Sequence, residues 1–412
     1  MGNRLTSNTV AELDSIDKFF SSSKFVDSIK TLSDTNQYWA EYLGIAFLQP
    51  YGINNKSVCT SDTAIYELNP DIIGQLLVAN PDYPYWVCLS TLWIFPQAST
   101  GGDNVSTRIE FSNLYSGFSQ PFIENNCNQL SVGENYIDTF AFGCDYPFTS
   151  QTLFGKTIAG SSIIDSYQKG IFTLNNIMAF SSAAYAVEYL QYLNINTSEC
   201  SFNTTRDLIP MLNFWTKTNN TTQTAHAADG VFYDNSSVIL QLSRKVQKII
   251  VSFASLPTLQ TLFGTINSDP LYAQYVQVFN SSDYDQVYSD LQSNLNTYGY
   301  AFAKATLTCL DNAQVNVQSY QVELLFNYYQ GVSTQFFELL PQETQLEIND
   351  KHSLLYGFPR LNEGSLVFIG GPTRGLIGMT LTQINLLASY VYWAFTTISE
   401  LSDCVENFLA TT

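Results

Sequence analysis

Apolar residues recur at steps of three and four through the last 180 or so residues of the chain. Ile239, Leu242, Val246, Ile249, Phe253 and Leu256 keep this spacing up to Pro257. Tyr288, Leu291, Leu295, Tyr298, Phe302, Ala305 and Cys309 repeat it behind Ser282 and Asp285, a helix-start pattern. Val322, Leu325, Tyr329, Val332, Phe336 and Leu339 follow the same rhythm to Pro341. A last run is Ile377, Leu381, Ile384, Ala388, Val391, Phe395 and Ile398. Strict alternation of three and four keeps one apolar seam on a helix turned toward a partner helix. The four seams predict a mainly α chain with a helical bundle over residues 236–412.

Upstream the pattern changes. Thr9 and Glu12 form a capping box, and Val10, Leu13, Ile16 and Phe20 follow at helical spacing. Asn69 and Pro70 read as a cap and first turn leading into Ile72–Ala79. From Tyr85 to Phe95 the chain is aromatic, rich in strand formers and bounded by prolines, and Val105 to Phe111 alternates. A few strands are therefore expected at about 84–150. Ile164, Tyr167, Ile171, Leu174 and Met178 return to helical spacing, and polar sequence dense in Asn, Ser and Thr runs from Asn194 to Asn235. The expected organisation is a mixed α+β region over 1–155, a helix with an exposed polar loop over 156–235, and the bundle over 236–412.

Composition narrows the function. Apolar residues at 45% argue for packed cores, while charged residues at 13% are about half the usual share. The net charge is −19, and the basic cluster Arg244, Lys245 and Lys248 spans only about one helical turn. Binding to nucleic acid or to anionic lipid needs many more clustered cations, so neither is expected. The segment from Leu376 to Ile398 carries no charge and is long enough for a bilayer. Its stripe of Thr382, Asn385, Ser389 and Thr396 favours a bundle helix instead.

Candidate chemistry is sparse. The seven cysteines are widely spaced with no C-x-x-C pair, and His226 and His352 are the only histidines, so no metal or cofactor is expected. Glu110 with Glu124 or Asp138 gives acid pairs that resemble solvated carboxylates. Tyr83, Tyr85, Trp86 and Trp93 read as a buried aromatic strand rather than a sugar platform. Ser365–Ile369 followed by Gly370, Gly371, Pro372, Thr373, Arg374 and Gly375 has the strand–turn–helix order that offers backbone N–H groups to an anion. It lacks the lysine and hydroxyl pair of a phosphate loop, so a structural turn is expected. Met1, Gly2 and Thr6 fit an N-myristoylation pattern with Gly2 as acceptor. No apolar secretory segment opens the chain, so the expectation is cytoplasmic synthesis, with a virion or a membrane surface as destination.

These readings converge on a non-catalytic structural or assembly protein, such as a coat, capsid or scaffold subunit, acting through protein partners and most simply as a homo-oligomer. Two alternatives stand beside it. One is a membrane-active, pore-forming helical protein. The other is a hydrolase with an unrecognised site.

Overall fold

The computed structural model describes residues 40, 44, 48–59, 70–80, 85–94, 105–113, 115–118, 122–123, 131–132, 135–137, 139–142, 148–153, 156–161, 171–181, 211–216, 221–234, 236–253, 256–266, 273–328, 333–353, 355–359 and 381–410. The chain divides into two compact units, with the division between Tyr233 and Asp234.

The N-terminal unit is built on an eight-stranded sheet. Its strands are β3 (Val87–Ile94), β4 (Val105–Ser112), β5 (Ser116–Phe118), β8 (Asn135–Ile137), β9 (Phe148–Leu153), β10 (Lys156–Ser161), β11 (Met211–Thr216) and β12 (Thr221–Asp229), in the order β11-β12-β3-β4-β5-β8-β10-β9. Every neighbouring pair is antiparallel except β8 with β10. Two small sheets accompany it: β1 (Ser57–Cys59) parallel to β2 (Leu76–Val78), and β6 (Phe122–Ile123) antiparallel to β7 (Ser131–Val132). Helix α1 (Leu174–Ser181) packs on β3 and β12, and the short helix α2 (Val231–Asp234) follows β12.

One face of the central strands is an aromatic core. Phe111 packs against Phe142, Phe172 and Phe180 at centroid separations of 5.6, 5.5 and 6.4 Å. Removing such rings from water stabilises the unit by about 1.5–3 kcal/mol each. The polar stretch before Asn235 is not simply loop, since residues 211–216 and 221–229 pair as a hairpin on this sheet. Asn69 and Pro70 lead not to an α-helix but to a 3-10 turn, Pro70–Gln75, and then β2. The capped helix near Thr9 lies outside the described residues, as do Ile164 and Tyr167.

The C-terminal unit overturns the expected bundle: it is mixed α/β. Its described elements are α3 (Val238–Ser243), β13 (Lys248–Ser252), α4 (Leu256–Leu262), α5 (Asp283–Tyr298), β14 (Ala301–Thr308), β15 (Gln321–Tyr328), α6 (Thr334–Glu338), α7 (Gln342–Asn349), α8 (Leu381–Thr397) and α9 (Ser399–Ala410). The sheet order is β13-β15-β14, with β13 parallel and β14 antiparallel to the central β15.

Three of the four seams cross element boundaries. The first breaks at Lys245, whose φ of 57° is left-handed, and resumes as the β-branched strand Lys248–Ser252. Pro257 opens α4 instead of stopping a helix, because its missing N–H would be unpaired in a first turn anyway. The second seam is helical only to Tyr298. There Gly299 (φ 71°) takes the left-handed cap and donates to Leu295 O, and β14 follows with alternating burial. A Cβ at Gly299 would also lie 2.5 Å from Ser333 Cα. The third seam is β15 followed by α6. The fourth is helical through α8 in its described part. In a chain this apolar, a step of three and four finds hydrophobic positions on strands as readily as on helices.

The sheet is filled on both faces. One face carries Ala303, Ala305 and Leu307, with Leu324, Phe326, Ile249 and Val251, all buried. Phe302 on the other face joins a cluster with Tyr300, Phe336, Phe358, Tyr390, Trp393 and Leu401, which packs α6, α8 and α9 together. Tyr390 closes this cluster by donating from its hydroxyl to Gly299 O at 2.7 Å.

Candidate functional site

Two features of the described residues stand apart from ordinary core packing, one in each unit. In the N-terminal unit, the alternation of β4 puts Ile109 and Phe111 on the aromatic face and Arg108 and Glu110 on the opposite face. That second face is buried as well. The side chains of Arg108 and Glu110 are 3% and 1% exposed, and Nε lies 3.1 Å from Oε1. The N–H is not aligned for a hydrogen bond along that line, so this contact is ionic and not directional. The guanidinium carbon lies 5.8 Å from the centroid of the Tyr233 ring, a cation–π separation. Thr91 on β3 is the cross-strand partner of Arg108 and is fully buried.

Further polar groups are buried in and beside this sheet. Ser116 Oγ and Thr139 Oγ1 are 2.9 Å apart, and Thr139 donates to Ser112 O at 2.7 Å. Cys88, on the aromatic face, has its thiol pKa pushed up by burial, against a hydrogen bond from Ser181 that lowers it. A buried thiol held protonated is a weak nucleophile. The Glu110 carboxyl beside its strand neighbour has almost no solvent access. The arrangement fits a structural charge pair that fixes which side chains occupy this face.

In the C-terminal unit the feature is on the outside. The outward side of α8 carries Ala388, Ser389, Tyr392, Thr396 and Thr397, all exposed, and the whole 17-residue helix has no charged residue. Tyr392 is 62% exposed. Leu339 and Leu346, outward on the α6–α7 segment that packs on the same aromatic cluster, are 70% and 65% exposed. Their neighbours Phe336 and Ile348 point inward. The α6–α7 segment also exposes Glu338, Glu343 and Glu347, while on the sheet Lys304 pairs with Glu323 at 3.0 Å, and the ammonium groups of Lys248 and Lys304 lie 5.6 and 5.9 Å from the ring centroid of Phe408 in α9.

Most residues singled out from sequence are not brought together. Gly370, Gly371, Thr373, Arg374 and Gly375 lie outside the described residues, as do Gly2, Glu124, Asp138 and Tyr83. His226 sits in β12, in register with Met211 and Trp93. His352 is exposed in a turn where its N–H donates to Asp350 Oδ1. Glu110 is not a solvated carboxylate but half of the buried pair. Arg244, Lys245 and Lys248 do not share a helical turn, since α3 ends at Ser243 and Lys248 opens β13. The Arg–Glu pair escaped notice because charges two apart on an alternating strand suggest a solvent face. Their shared parity was the available signal.

Among the described residues no group of His, Cys, Asp and Glu is placed to hold a metal ion, and no helix is long and apolar enough to cross a membrane. No protein-family model matches the chain, and neither a curated protein nor a solved structure is significantly similar to it.

Proposed function

We propose that this chain is a non-catalytic assembly protein that works through contact with other copies of itself, as a coat, capsid or scaffold subunit does. The observation that carries this reading is the charge-free outward side of α8, on which Tyr392 is exposed. Interface cores depart from ordinary surface in this direction, depleted in Lys and Glu and enriched in Tyr. Tyrosine offers a large, fairly rigid contact area whose hydroxyl can still meet water or a partner. The chain as a whole carries 26 Tyr against 17 Lys and Arg together, so the bias is general and not confined to one helix.

A net charge of −19 would make copies repel, and an uncharged face is where that repulsion is least. Light scattering on the purified chain tests the reading with two proteins, the natural sequence and Tyr392→Glu. The natural chain is expected to give a mass above that of one copy, and the variant to dissociate at concentrations at least about tenfold higher, a cost of about 1.4 kcal/mol. An association indifferent to this charge would remove α8 from the interface.

A further inference from the structure

We draw no further inference here: the strongest candidate, the exposed surface patch of Leu339 and Leu346 on the α6–α7 segment, is interleaved with the exposed acids Glu338, Glu343 and Glu347, and nothing in the structure shows what covers it.

Discussion

Among its described residues the N-terminal unit buries an ion pair, whereas the C-terminal unit buries an aromatic cluster under a charge-free helix. In the first, Arg108 and Glu110 are buried beneath Tyr233, and hydroxyls from Ser90, Thr91, Ser112, Ser116 and Thr139 are buried in and beside the same sheet. In the second, the core around Tyr390 and Trp393 is almost wholly aromatic and aliphatic, while Tyr392, Leu339 and Leu346 face out. A buried ion pair adds little net stability, but removing one partner leaves a charge in the interior, which is costly. Exposed Tyr and Leu cost solubility unless something covers them.

The largest effect should come from breaking the internal pair. Arg108→Met leaves Glu110 buried beside an apolar chain and should cost about 3–5 kcal/mol in urea unfolding followed by a probe in the N-terminal unit. Combining it with Glu110→Leu should recover most of that loss, since replacing a whole buried pair with apolar groups is often neutral. Failure to recover would mean that the pair does more than satisfy itself.

In the C-terminal unit Asp234 is buried with its Oδ2 accepting from Leu240 N at 2.8 Å, and away from it cavity and backbone terms dominate. Leu291→Ala, at a fully buried position of α5, should cost about 2–5 kcal/mol. Gly299→Ala should cost at least about 1–2 kcal/mol, from the left-handed φ alone, with the approach to Ser333 adding to it. Both losses should appear in the C-terminal transition and leave the N-terminal one in place.

A smaller effect concerns alkaline pH. Burial pushes the hydroxyl pKa values of Tyr275 and Tyr390 well up, and that of Tyr320 to about 12. The folded unit thus holds protons that the unfolded chain releases near the ordinary value of 10. The contribution is fully present below that value and is lost as pH rises through the interval above it. Stability of the C-terminal unit should therefore fall with pH above about 10, and Tyr275→Phe should make that fall shallower. The same variant loses the bond to Ser236 Oγ at 2.8 Å and should be weaker by about 1 kcal/mol at neutral pH. An unchanged alkaline slope would show that Tyr275 titrates normally.

The strands β3 and β4 were legible because aromatic and β-branched residues sit between turn signals, and α8 was legible as a helix, although it buries Leu386, Tyr390, Trp393 and Ala394 and exposes Ala388 of the expected seam. The C-terminal sheet was not. Apolar spacing carried the reading straight through Lys245 and Gly299, where single left-handed residues end one element and start another. Lysine is an unusual choice for such a position, and nothing near it in the sequence announces the turn. Gly299, by contrast, sits just after Tyr298 and marked a helix end that the spacing overrode. The candidate surfaces were half legible: the missing charge of α8 is plain in the sequence, but which of its sides faces out depends on Tyr390 and Trp393 packing on Phe336.

The most direct test of self-assembly is the solution mass of the natural chain across ionic strength. At about 10 mM salt the acidic charges act over about 30 Å and oppose association, whereas at 150 mM they are screened within about 8 Å. Light scattering should give a mass near that of one 46.1 kDa chain at low salt and a multiple of it at physiological salt. A mass of one chain at every salt, up to about millimolar protein, would contradict the account.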